Sequence, residues 1–243
     1  MLTVDFDRFP VGSGDLVLDM GCGAGRHAFE LARRGADVVA LDMDADELSG
    51  VSDMLAAMRI EHEIPQGSVT AAVRGNAYTL PFPDATFDRI VAAEVLEHLP
   101  EDTLAMAELT RVLKPGGIIA VSVPRWGPER VCWALSDEYH EVEGGHVRIY
   151  KGSQLSERLT STGLVQLSEH HAHSLHAPYW WLKCAVGVDN AENRLVDTYH
   201  RILVWDMMKA PRLTRVTERI LNPLIGKSLV VYLTKPERAH VTV

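Results

Sequence analysis

The sequence predicts an α/β fold: a largely parallel sheet with helices covering both faces. Three observations carry that expectation. Between residues 16 and 123, short apolar runs alternate with amphipathic segments of helical length. A glycine cluster follows the first run directly. Glycine or proline then closes the helical segments.

Leu16-Val17-Leu18 opens the first strand and runs into Asp19 and the glycines. Residues 26–34 read as a helix with Ala28, Leu31 and Ala32 on one face, stopped by Gly35. Val38-Val39-Ala40-Leu41 is a second strand ending at Asp42. Asp44 and Glu47 form an N-terminal capping pair, and Leu48, Val51 and Leu55 continue a helical spacing. Val69, Ala71 and Val73 alternate as a weaker third strand before Gly75-Asn76. Residues 87–93 give a fourth strand, 104–113 a helix stopped by Lys114-Pro115-Gly116-Gly117, and 118–123 a fifth strand. Past Pro124 the rhythm loosens. Residues 153–162 read as a helix closed by Gly163, 164–167 as a sixth strand and 228–234 as a last β-rich run. The stretch from about 170 to 226 is mostly helical in pattern, an insertion between the last two strands expected to pack over the sheet edge or the site. In it Leu195, Tyr199, Ile202 and Leu203 share one face before Pro211, and Leu213, Val216 and Ile220 another before Pro223.

The 243 residues carry 33 Asp and Glu against 24 Lys and Arg, a net charge of −9. That balance disfavours nonspecific nucleic-acid binding, and no basic aromatic platform is present. No apolar run reaches the roughly 18–20 residues of a membrane span. The N-terminus has neither the basic start nor the apolar core of a signal peptide. Cys22, Cys132 and Cys184 lack the spacing of a disulfide framework or metal cluster, so a reducing cytoplasm is the expected setting. The charge is uneven. From Arg201 onward eight Lys and Arg face three Asp and Glu, or +5, leaving −14 on residues 1–200. Arg212, Arg215 and Arg219 share one helical face. A solvated basic surface is the plain reading, and contact with an anionic substrate or the membrane periphery the other.

The segment Asp19-Met20-Gly21-Cys22-Gly23-Ala24-Gly25-Arg26 is the richest in chemistry. A glycine turn from a strand into a helix lets a ligand approach the backbone beside the helix N-terminus. A dinucleotide fingerprint wants its third glycine where Arg26 stands, and no acid just before the turn. Asp19 would repel a pyrophosphate but pair with an ammonium group. Asp42, 23 residues after Asp19, ends the second strand where it can accept from ribose hydroxyls.

On these residues the chain resembles the class I S-adenosylmethionine-dependent methyltransferases, including those of ubiquinone biosynthesis. Leu80-Pro81-Phe82-Pro83-Asp84, residues 93–99 and Leu113-Lys114-Pro115-Gly116-Gly117 extend the likeness across about residues 14–125, in order. The resemblance implies a Rossmann-like seven-stranded sheet with its last strand antiparallel, and S-adenosyl-L-methionine as cofactor. It implies that Asp19, Gly21, Cys22, Gly23 and Gly25 hold the methionine end and Asp42 the ribose, with Met43 also among the cofactor-binding residues. Asn76 and Ala77 then meet the adenine, and Glu94 borders the same cofactor. It also divides a single domain over residues 1–243 into a cofactor-binding core, 1–125, and an acceptor-side elaboration, 126–243. With only about 15 residues before the first strand, the late insertion is expected to cover the site in place of an N-terminal helical cap.

Glu94, Glu97 and His98 follow the fourth strand. If the segment turns helically they share a face and suit a divalent cation, Mg2+ or another. The Glu-x-x-Glu-His pattern is similar to one in metal-dependent O-methyltransferases of ubiquinone biosynthesis and of small RNA. That likeness implies His146 as a fourth ligand. A structural hydrogen bond from Glu97 or His98 to a neighbouring loop is the alternative role. An alcohol needs a base, a Lewis acid or both to attack a sulfonium methyl. His98, His146 and His140 are the candidate bases. His170, His171, His173 and His176, beside Tyr179, Trp180 and Trp181, either line an acceptor pocket or are ordinary core and surface residues. The expected activity is methyl transfer to a hydroxyl of a small or medium acceptor: a sugar, a quinone or a lipid-linked molecule. The alternatives are metal-independent N- or C-methyl transfer, and a non-catalytic cofactor-binding partner subunit.

Overall fold

The structure, a computed structural model, describes residues 2–139, 145–188, 190 and 193–237. Its strands are β1 (Leu16–Met20), β2 (Asp37–Asp42), β3 (Thr70–Arg74), β4 (Phe87–Ala93), β5 (Leu113–Pro124), β6 (Val165–Ala172) and β7 (Ser228–Thr234). They form one sheet in the order β3-β2-β1-β4-β5-β7-β6. The first five are parallel, and β7 runs antiparallel to β5 on one side and β6 on the other. This is the seven-stranded Rossmann-like architecture that the resemblance implies.

The helices are α1 (Arg26–Arg33), α2 (Ala45–Ile60), α3 (Asp102–Val112), α4 (Trp126–Leu135), α5 (Gln154–Ser161), α6 (His176–Val186), α7 (Arg194–Lys209) and α8 (Arg212–Ile225). Successive strand residues face opposite cores, because side chains alternate across a sheet. Leu18, Met20, Ile90 and Ala92 join α3 and α5 on one face, and Val17, Val38 and Val91 join α1 and α2 on the other. The α1 residues Ala28, Leu31 and Ala32 are buried as their spacing predicts, as are Leu48, Val51 and Leu55 of α2. Asp44 caps α2 by accepting from the N–H groups of Asp46 and Glu47. The reciprocal half of the capping pair is replaced, since the Asp44 N–H goes to Asp42 Oδ1.

Three differences from the sequence pattern matter for the site. First, β6 runs on to Ala172, because β7 pairs with it there and takes His170 and His171 into the strand. Second, α4 follows β5 at once, its start disguised by Gly127 and Pro128, which a first helical turn tolerates. Third, α8 passes through Pro223 to Ile225 and turns its apolar residues outward. Leu213 is 75% and Ile220 64% exposed, while Glu218 is the one buried residue of the helix. The expected packing of that face over the sheet edge gives way to polar attachment. Arg215 leaves the basic face, pairing with Asp206 of α7 and with Glu218. No described helix is long and apolar enough to cross a membrane.

Candidate functional site

The sheet order reverses between β1 and β4, whose chain connections leave to opposite sides. Open α/β sheets hold their ligands at such a point, beyond the strands' C-terminal ends. A cavity of about 550 Å3 lies there, lined by the β1 glycines, the ends of β2 and β4 and the loop after β3. Gly21, Gly23, Asp42, Met43, Asn76, Ala77 and Glu94 all contribute to its wall.

Glycine is required at Gly21 for two reasons. Its φ is +70°, and a Cβ there would stand 2.4 Å from Val95 Cγ2. Gly23 has φ +48° with open space where a Cβ would go, so its bareness serves the cavity. Asp42 is locked beside it, accepting from the N–H of Gly23 at 2.8 Å and of Asp44 at 3.0 Å. Asn76 turns its Oδ1 to the Tyr78 N–H, and the Met43 side chain, 75% exposed, borders the same cavity.

Three of the expected cofactor residues lie under this surface rather than on it. Asp19 is 1% exposed and its Oδ2 accepts from the Ala28 N–H at 2.9 Å, tying β1 to α1. Burial raises its carboxyl to about 7 against the pull of that N–H and of Arg26. Cys22 packs in the α1–α2 core, where burial and the Asp19 charge push its thiol up to about 12. Gly25 is the left-handed N-cap of α1, where a Cβ would meet Phe29 and Val51. These residues shape the turn; Gly21, Gly23 and Asp42 present it.

Beyond β4 the chain does not continue as a helix. Glu94 takes a left-handed φ of 59°, and only Leu96–His98 form a short 3-10 turn. The expected single face of Glu94, Glu97 and His98 is therefore broken. Glu94 points back to β5, accepting from Ser122 Oγ at 2.9 Å. The group that does converge is Glu97, His98 and His146, whose ligand atoms lie within 4.8 Å of one another. Glu97 is 1% exposed and neither carboxylate oxygen has a hydrogen-bond partner among the described residues. Burial first, and then the Glu94 carboxylate, push its carboxyl well above the ordinary range.

The two imidazoles are oriented from behind. His98 Nδ1 contacts the Gly145 carbonyl at 3.2 Å, and His146 Nδ1 lies 2.5 Å from Glu129 Oε1. Each ring thus keeps Nε2 for a ligand, the arrangement in which outer hydrogen bonds fix metal-binding histidines. Burial alone would raise the Glu129 carboxyl, but the His146 hydrogen bond and the Lys227 charge hold it below the ordinary range. Residues 145–150 are pinned against the 3-10 turn. The Val147 N–H donates to the Glu97 carbonyl, and Arg148 donates to the carbonyls of Leu96, Leu99 and Pro100. Glu129 and Arg148 carry no motif in the sequence, and only their distant partners reveal their roles.

Aromatic rings extend the site toward α6. Tyr139 stands 6.0 Å from His146 and 5.6 Å from Trp180, ring centre to ring centre, and its hydroxyl donates to Glu129. The Lys227 ammonium lies over Trp180 and 3.9 Å from Glu129. The later histidines do not form one pocket group. His170 stacks on Tyr232, His171 lines a separate cavity with Arg125, and His173 touches Thr3 and packs edge-on to His176. His140 lies outside the described residues.

Comparison with known proteins agrees with this geometry. Residues 18–121 match the family described as a methyltransferase domain. The chain is 35% identical over 143 residues to a sterol 24-C-methyltransferase of Eremothecium gossypii, covering 58% of this chain and 34% of that protein. It is 31% identical over 122 residues to a ubiquinone biosynthesis O-methyltransferase of Alkalilimnicola ehrlichii, covering 50% and 47%. The chain thus spans about a third to a half of these curated relatives' length. A SAM-dependent methyltransferase from Methanosarcina mazei shares the fold, with a TM-score of 0.64, 16% identity, and 98% and 100% of the two chains covered. Residues 18–121 thus match a methyltransferase domain, and the glycine turn, the acid that ends β2 and the sheet order agree with that likeness.

Proposed function

We propose that this chain moves the methyl group of S-adenosylmethionine to a hydroxyl of a small or lipid-linked acceptor, with a divalent cation held by Glu97, His98 and His146. One observation carries the metal reading. A buried carboxylate with both oxygens unpartnered sits beside two histidines whose other ring nitrogens are already engaged. Leaving such a carboxylate uncompensated costs several kcal/mol, on the order of what a coordinated ion recovers. An ion there would act as a Lewis acid that lowers the pKa of a bound acceptor hydroxyl.

The protein's own residues supply the rest. Gly21 and Gly23 let the cofactor approach the backbone, and Asp42 offers its carboxylate to the ribose. S-adenosylmethionine provides the electrophilic methyl. As the C–O bond forms the C–S bond breaks, and the hydroxyl proton leaves. With the ion on both Nε2 atoms the proton would pass to solvent, and without it the Nε2 of His98 or His146 would be free to take it. Tyr139 and Trp180 give the acceptor an aromatic wall.

A second reading, transfer to carbon, rests on the sterol 24-C-methyltransferase likeness. In it the acid cluster would accept a proton from a methylated alkene without metal. A labelled-methyl screen over sugar, quinone and lipid-linked hydroxyls, with and without chelator, separates the two. Turnover lost on chelation, restored by Mg2+ or Mn2+, and a product methyl bonded to oxygen support the first. Chelator-insensitive turnover with a carbon-bound methyl replaces it with the second.

A further inference from the structure

α8 is an amphipathic helix mounted with its polar side inward. At 3.6 residues per turn, Leu213, Val216, Ile220 and Leu224 fall on one stripe. These four are 75%, 53%, 64% and 70% exposed. The opposite side is held by charge and hydrogen bonding. Arg215 pairs with Asp206 and Glu218, and Asn222 Oδ1 accepts from the Ser174 N–H. A stripe kept this regular and left uncovered calls for an apolar neighbour outside the chain.

We propose that α8 lies on the surface of an anionic lipid bilayer, with this stripe in the headgroup boundary. Charge selects that occupant. Arg212 and Arg219 lie along one edge of the stripe, and Lys209 precedes it by a few residues. Residues from Arg201 onward carry +5, the rest −14. An anionic bilayer repels most of the molecule and attracts this end, which fixes the orientation as well as the affinity. An amphipathic helix with a basic edge is the element that binds such an interface. A second copy fits worse. Antiparallel pairing of two α8 stripes would set the arginine edge of one helix against that of the other.

The stripe also leads somewhere. Leu224, its last residue, borders a cavity of about 640 Å3 lined by Trp126, Val131, Trp181, Ile225 and Leu229. Pro128 closes the same cavity, and the next residue, Glu129, holds His146. A bilayer under α8 would therefore meet a chamber that mixes these apolar side chains with Arg125, Glu169 and His171 and backs onto the proposed metal group. The docking itself does not depend on which acceptor is methylated.

Flotation of the full chain with phosphatidylcholine vesicles, with and without phosphatidylglycerol, tests this. The protein should float with the anionic vesicles, and less so as salt rises. Arg212→Glu with Arg219→Glu, or Ile220→Asp with Leu213→Asp, should each lower partitioning by about tenfold or more. Because these side chains are exposed, both variants should keep the wild-type circular dichroism and calorimetric affinity for S-adenosylmethionine. Equal flotation of wild type and variants overturns the proposal, as does no flotation on either vesicle. A dimer by light scattering that Ile220→Asp dissociates would also overturn it and assign the stripe to self-association.

Discussion

The two sides of the site are made of different material. The proposed cofactor side is bare around the turn, with Gly21, Gly23, Gly75 and Ala77 leaving room and Asp42 as the charged side chain there, while Glu94, Val95 and His98 also line the cavity. Two of these glycines are fixed by a neighbour: Val95, after β4, stands over Gly21, and Leu41 of β2 where a Cβ on Gly75 would go, while Gly23 faces open space. The proposed acceptor side is side chains: Glu97, His98, Glu129, Tyr139, His146 and Trp180, drawn from four separate segments. Its shape depends on hydrogen bonds between them rather than on the sheet. A fold divided this way can change its acceptor chemistry while the glycine turn and Asp42 stay, the two sides meeting at His98.

Substitutions on each side should break differently. Glu97→Gln should lower turnover by about a thousandfold while S-adenosylmethionine affinity stays within about twofold. The same change should raise the melting temperature of metal-free protein at alkaline pH, where the unpartnered carboxyl would otherwise have to ionise while buried. Scanning calorimetry beside a turnover assay checks both signs; lost stability together with lost affinity would make Glu97 structural.

Asp19 tests the floor of the cofactor side through pH. The folded carboxyl titrates near 7 and the free one near 3.8. Between those values the folded chain keeps a proton that the unfolded chain releases. Stability contributed by the neutral form is therefore complete below the lower value and lost as pH rises through about 7. The shift corresponds to about 4 kcal/mol at most. Asp19→Asn keeps the acceptor for Ala28, so it should flatten urea midpoints across that window. An unchanged slope would show that Asp19 ionises freely.

A pair of glycine changes follows. Gly21→Ala should cost about 3 kcal/mol, from the left-handed φ and the collision with Val95. Gly23→Ala should cost only about 1–2 kcal/mol and still fold, yet lose cofactor affinity because its methyl enters the cavity. Calorimetric titration with thermal melts separates them. The mildest change is Glu129→Gln, which leaves every metal ligand in place. It should weaken metal binding by about tenfold through the freed His146 ring, with cofactor affinity unmoved. Metal titration followed by activity checks it; an unchanged metal requirement would remove Glu129 from the site.

The same division explains what could be read in the chain. β4 and β7 fall on the residues their apolar runs indicate, and the turn from 19 to 26 announces the cofactor side by itself. Those signals are local, set by spacing within a few residues. Glu94 stands apart from Glu97 and His98 because a shared helical face needs a continuous helix, and the left-handed residue after β4 breaks it. Asp19 and Cys22 belong to the turn, but nothing in their spacing says that they face its underside. Glu129 acts on a histidine 17 residues away, and Arg148 on carbonyls about 50 residues back. Pattern cannot supply such pairings. The outward stripe of α8 has the period of a buried face, and periodicity is silent about which way a helix is turned.

β7 has one more consequence, for assembly. It lies between β5 and β6, pairing Pro124 and Ala172 alike with Ser228. Until its residues leave the ribosome, β5 and β6 each present a bare hydrogen-bonding edge, and neither can satisfy the other. The first half of the chain, with β1 to β4, can collapse early from contacts between sequence neighbours. The β5–β7–β6 side must wait for nearly the whole chain, the slow kind of closure that long sequence separation imposes. Chains released before residue 228 would thus carry two open edges, and aggregation rather than partial function is their expected fate.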